Sequence, residues 1–167
     1  LERIAMNFGP ENIAACIVEP IAGSTGTLVP PKGYLQKLRE TCDKHGILLI
    51  FDEVITGWGR TGSSFASIEY GVTPDIMTMA KATTNGVVPM GVVACKDEIY
   101  DSVMDASPMG SVELFHGYTY SGIPVAVAAA LAVQDIFDKE DIFNRAKDLS
   151  PYFQKGLFSL QDLESVD

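Results

Sequence analysis

Cysteine, histidine and tryptophan are scarce in this chain: three, two and one among 167 residues. Cys16, Cys42 and Cys95 are odd in number and widely spaced. That excludes a fully paired disulfide framework and argues against a zinc site, so reduced, buried thiols are expected. His45 stands near a helix end, and with His116 as its sole companion a histidine-based catalytic centre is a poor expectation. Basic residues are also few, 12 against 22 acidic ones, for a formal net charge of −10. That balance argues against nucleic acid or an anionic membrane surface as partner. No apolar stretch approaches the length of a transmembrane helix. The N-terminus lacks a signal-peptide pattern, and a cytoplasmic location is expected.

What is present is enough apolar material, 47% of residues, for one domain with a real core. Short apolar runs alternate with helical patterns. Ile13 to Val18 reads as a strand ending at Glu19-Pro20, followed by a loop from Ile21 to Pro30. Pro31 suits the first turn of a helix, and Leu35, Leu38 and Cys42 share one face of it, with Gly46 as its stop. Gly46 to Phe51 and Asp75 to Ala80 are continuous apolar runs of the kind found in strands covered on both faces. Met90 to Cys95 is a further strand candidate, and Asp97 starts a short helix. A loop from Asp105 to Gly122 leads to an alanine-rich helix, Val125 to Val133, expected in the core, and then to an amphipathic helix near Asp141 to Leu160. The alternation implies an α/β fold: three layers, a mostly parallel sheet flanked by helices.

Lys81 and Asp52 carry the chemical signal. Each stands where a buried strand should end, and ligands of open α/β sheets gather at the carboxyl ends of strands. Burial at such a position would disfavour the ammonium form of Lys81 and make its amine a nucleophile. A lysine for an aldehyde and a carboxylate for a ring nitrogen are the two groups that pyridoxal 5'-phosphate requires. Each residue alone has a plainer reading. Lys81 could be a strand-end lysine reaching solvent along its aliphatic stem, and Asp52 a turn former or helix cap. Glu53 reads as a structural contact, with Arg60 as a candidate partner. Trp58 and Tyr118 are either loop packing or part of a substrate entrance.

The run Gly57-Trp58-Gly59-Arg60-Thr61-Gly62 matches the G-x-G-x-x-G dinucleotide pattern. Its context does not fit, because Asp52 to Thr56 separate strand from glycines and no long crossover helix follows. The glycines are expected to shape a tight loop.

The longer motif Asp52-Glu53-Val54-Ile55-Thr56-Gly57-Trp58-Gly59-Arg60-Thr61-Gly62 resembles the signature of class III, fold type I aminotransferases. The match continues through Gly71 to Asp75, Ala80-Lys81, Thr84-Asn85-Gly86, Pro89-Met90-Gly91 and His116 to Gly122. Within that family the chain is most similar to the ω-amino acid:pyruvate (β-alanine:pyruvate) transaminases. The resemblance implies pyridoxal 5'-phosphate held by Lys81 as an internal aldimine. It further implies Asp52 on the pyridinium nitrogen, Val54 against one ring face, and Thr119 reaching the cofactor phosphate of a neighbouring subunit in a homodimer with shared sites. The implied reaction moves an amino group from an ω-amino acid or amine to pyruvate.

Three positions depart from the family pattern. Ile55 replaces a glutamine that in many relatives hydrogen-bonds the cofactor's phenolic oxygen. Ser24 stands where the ornithine and γ-aminobutyrate enzymes often carry an acid, and Ile123 replaces Asn or His before Pro124. Leu1 is no initiating methionine and Asp167 follows no capping signal, so residues 1–167 are expected to be part of the cofactor-binding large domain of a longer enzyme. By the same resemblance, the phosphate cradle and ring-stacking aromatic would lie before Leu1, and the carboxylate-binding arginine after Asp167. The alternative is a catalytically inactive truncated piece with a structural or dimerising role.

Overall fold

The computed structural model describes residues 1–109 and 119–165. His116 and Tyr118 therefore lie outside the described residues, as does most of the loop expected between Asp105 and Gly122.

Four strands form one sheet in the order β1-β2-β3-β4: β1 Ala15–Val18, β2 Leu48–Asp52, β3 Ile76–Met79 and β4 Val92–Cys95. The pairs β1–β2 and β2–β3 are parallel, and β4 runs antiparallel to β3. The mostly parallel sheet flanked by helices is the architecture expected from the alternation. In the register, Ile50 pairs Ile76 and Asp52 pairs Thr78.

The core forms where α1 (Glu2–Phe8) and α2 (Tyr34–His45) meet β2. Leu35, Leu38 and Cys42 recur at helical spacing and bury against Leu49 and Phe51, with Ala5, Ile47 and Val72 completing the cluster. Gly46 ends α2 in the left-handed conformation (φ 66°), its N–H bonding the Cys42 carbonyl. Helix α2 starts three residues later than Pro31 suggested, because Gly33 adopts φ 84° and breaks the turn before Tyr34.

A charged knot ties these elements together at the sheet end where β3 begins. Asp75, nearly buried, accepts from Arg39 of α2 (2.8 Å), from Lys96 just after β4 (2.7 Å) and from the Leu49 N–H (2.7 Å). Burial alone would push its carboxyl up. The three donors outweigh burial and hold it below its ordinary value of 3.8.

Between β2 and β3 lies the short helix α3 (Ala66–Glu69), which the sequence pattern did not reveal. After β4 come α4 (Asp97–Asp105), α5 (Pro124–Lys139) and α6 (Ile142–Phe158). Helix α5 departs from expectation. Ala126 and Val133, seven residues apart on one stripe, are its buried residues, whereas Leu131 is 63% exposed. A run of small apolar residues favours burial but cannot say how much of the helix this chain covers. Cys42 is buried as expected; Cys95, at the end of strand β4, is exposed.

Candidate active site

The candidate site forms where β2 and β3 end. Asp52 is the last residue of β2, and its partner Thr78 lies one residue before the end of β3. The Glu53 N–H continues the ladder to the Thr78 carbonyl (2.9 Å). Lys81 follows Met79 by two residues, so the topology brings both chemical groups to one edge of adjacent parallel strands. Asp52 is half-buried and accepts the Val54 N–H at 3.0 Å through Oδ1. Among the described residues Oδ2 has no partner, which leaves one carboxylate oxygen available to a ligand.

Lys81 does not occupy the expected buried position. It opens a 3-10 turn, Lys81–Thr83, and is exposed. The desolvation argument therefore does not apply within this chain: the strand stops at Met79, and the turn carries Lys81 out of the sheet's cover. Its backbone is left-handed, φ 45°. That conformation costs a lysine about 1–2 kcal/mol relative to the usual regions. Among the described residues its ammonium makes no ion pair.

A cavity of about 560 Å³ adjoins these residues, walled by Val54, Thr78, Met79, Ala80, Met90, Val92, Tyr120, Gly122 and Ala126. Val54 thus faces open space beside the strand ends. Asp52 and Lys81 are neighbours of the wall residues and not wall residues themselves. Thr119 is exposed in the turn leading to Tyr120, and no hydrogen bond joins it to Asp52, Val54 or Lys81. Ile55 lines a different hollow, with Ile21, Arg60, Thr61 and Tyr70. A Cβ on Gly23 would stand 2.7 Å from Ile55 Cδ1, so Ile55 packs down onto that glycine.

The glycine run after β2 is a tight loop, as its context required. Gly59 and Gly62 adopt φ 89° and 88°, and a Cβ on Gly57 would lie 2.8 Å from the Glu53 carbonyl oxygen. Glu53 holds this loop in a way the sequence did not show. Its fully buried carboxylate accepts from Thr56 Oγ1 (2.8 Å) and from the N–H groups of Ala66 (2.8 Å) and Ser67 (2.7 Å), the first turn of α3. Arg60, the candidate partner, instead reaches the Ile55 carbonyl. Glu19 likewise turns inward, accepting the Gly23 N–H at 2.9 Å.

A lysine and a half-free carboxylate at adjacent strand ends, beside a cavity walled by an aliphatic residue, suit an aldehyde-bearing aromatic cation. The model of the family "Aminotransferase class-III" matches residues 1–166. The chain belongs to the class-III aminotransferase family.

This class-III chain is 55% identical over 166 residues to an omega-aminotransferase of Caulobacter vibrioides, covering 99% of the chain and 38% of that protein. It is 56% identical over 156 residues to a beta-alanine–pyruvate aminotransferase of Pseudomonas aeruginosa, covering 93% and 35%. Among solved structures it resembles an (S)-enantioselective omega-transaminase from Thermomicrobium roseum at 45% identity, with a TM-score of 0.90 over 96% of the chain and 35% of that structure. It also resembles an amine transaminase from an uncultivated Pseudomonas species, solved in its PLP-bound (internal aldimine) form. That match has 43% identity and a TM-score of 0.90 over 96% and 36%. The chain spans little more than a third of the relatives it matches.

Proposed function

We propose that the complete gene product is a pyridoxal 5'-phosphate-dependent transaminase that moves an amino group from an ω-amino acid or amine, such as β-alanine, to pyruvate. The observation that carries this reading is the juxtaposition of Asp52 and Lys81 at the carboxyl ends of β2 and β3. Pyridoxal phosphate, when bound, supplies an electron sink for the bonds at the substrate's amino-bearing carbon. Asp52 would pair with the ring nitrogen and keep it protonated, a task for which its uncommitted Oδ2 is suited. Val54 would offer an aliphatic surface to one ring face. Lys81 Nζ would hold the cofactor through its aldehyde. With its amine freed for acid–base work, Lys81 would carry the proton between the substrate's amino-bearing carbon and the cofactor's C4′ carbon, in one direction for each half-reaction.

Thr119 is assigned the phosphate of a neighbouring subunit, which makes the working unit a homodimer with shared sites. Its exposure in a single chain agrees with a contact made outward. The exposure of Lys81 favours a second reading, in which these residues alone form a structural piece without chemistry. Incubating the complete gene product, and residues 1–167 alone, with pyridoxal phosphate, β-alanine and pyruvate separates the two. Alanine formed by wild type and absent from Lys81→Ala supports transamination, whereas equal turnover by both proteins refutes the role of Lys81.

A further inference from the structure

The left-handed turn at Lys81 needs something to hold it, and its own residues supply only part of that. The Thr83 N–H and the Thr83 hydroxyl both donate to the Ala80 carbonyl, each at 3.0 Å. The remaining acceptor capacity of that buried hydroxyl is filled from outside the turn. Trp58 Nε1, from the glycine loop after β2, donates to Thr83 Oγ1 at 3.0 Å. Trp58 is itself left-handed (φ 60°), and its N–H bonds the Ser64 carbonyl at 2.6 Å. Its indole is gripped on the loop side by Phe65, with ring centroids 4.9 Å apart, and on the α5 side by Phe137 at 6.1 Å. The indole N–H therefore has a fixed direction. It runs from the loop that follows Asp52 to the turn that carries Lys81.

We propose that Trp58 and Thr83 are positioning residues for Lys81: the indole-to-hydroxyl bond locks the strained turn so that the Lys81 amine meets the cofactor aldehyde in a single orientation. This rests on the reading of Lys81 as the cofactor-holding residue. The brace couples the two halves of the site, because the loop that follows Asp52 and the turn that begins with Lys81 are otherwise joined at the sheet edge by the Glu53–Thr78 ladder bond. A phenylalanine at position 58 would keep the ring packing and lose the donor. A valine at 83 would keep the shape and lose the hydroxyl. W58F leaves the Thr83 hydroxyl with its bond to Ala80 alone, T83V leaves the half-buried indole N–H without its partner, and each frees the turn to relax from φ 45°.

The test uses the complete gene product in its apo form, as wild type, W58F, T83V and T83S. Three quantities are measured. The first is the rate at which pyridoxal phosphate becomes borohydride-trappable on Lys81. The second is the Kd for pyridoxamine phosphate, which fits the same pocket but cannot join the lysine. The third is amide exchange at Gly86, whose N–H bonds the Lys81 carbonyl at 3.2 Å. W58F and T83V are expected to trap about tenfold more slowly, with faster Gly86 exchange and unchanged pyridoxamine phosphate affinity, while T83S behaves as wild type. Wild-type trapping rates in W58F and T83V overturn the brace. So does equal weakening of both ligands, which would mark a merely structural role. Failure of wild type itself to form the Lys81 adduct overturns the reading of Lys81 and the brace with it.

Discussion

Replacing Glu53 by glutamine changes a single atom, yet the surroundings of that carboxylate make it a severe substitution. Glu53 is fully buried, Oε1 accepts the Ser67 N–H, and Oε2 accepts both the Ala66 N–H and the Thr56 hydroxyl. A glutamine must turn its NH2 toward one of these oxygen positions. In either orientation it faces a backbone N–H, donor against donor, and the other two bonds lose the strength that a charged acceptor gives them. Hydrogen bonds to charged groups contribute about 1.5–3 kcal/mol each, and a buried orphan donor costs about 1–3 kcal/mol. The expected loss for Glu53→Gln is therefore about 3–5 kcal/mol, in the upper tail for point mutants. Urea unfolding of the complete gene product followed by circular dichroism measures it. Amide exchange at Ala66 and Ser67 should accelerate in the folded variant as α3 loses its tether. A variant that unfolds within about 0.5 kcal/mol of wild type, the range of an ordinary surface change, would refute the argument that Glu53 organises this loop.

Two further outcomes follow from the same physical reading. Asp75 has a depressed folded pKa, so its stabilisation is complete above the ordinary value of 3.8 and is lost as pH falls through the lower folded value. Asp75→Asn should therefore remove the part of the acid-linked stability loss that Asp75 contributes below that pH, and acid unfolding curves that coincide would contradict the knot's role. Gly57→Ala forces a Cβ to 2.8 Å from the Glu53 carbonyl and should cost about 1–3 kcal/mol. Gly46→Ala meets open space and should cost about 1 kcal/mol, from its positive φ alone. Thermal unfolding that ranks Gly46→Ala as the worse of the two would refute the steric account.

Much of the fold was legible because its signals are local. Apolar runs bounded by glycine or proline marked all four strands, and the Leu35-Leu38-Cys42 spacing with Gly46 marked α2 and the face it buries. The candidate site is suggested in the sequence by residue types at strand ends, and the register sets Asp52 at the end of β2 beside β3, whose last residue, Met79, precedes Lys81 by two. Contacts that depend on how distant turns meet were not legible. The burial of Lys81 was inferred from the strand before it and fails because the left-handed turn intervenes. The partner of Glu53 was sought in a charge, Arg60, whereas backbone N–H groups thirteen and fourteen residues away take that part. The Trp58–Thr83 bond joins residues 25 apart, and neither has a spacing that announces it.

The assignment of Lys81 as the cofactor-holding amine is tested most directly by borohydride reduction of the complete gene product loaded with pyridoxal phosphate, followed by peptide mass mapping. A stoichiometric pyridoxyl group confined to Lys81 is the expected result. Stoichiometric labelling at another lysine, or none at all, would contradict the account.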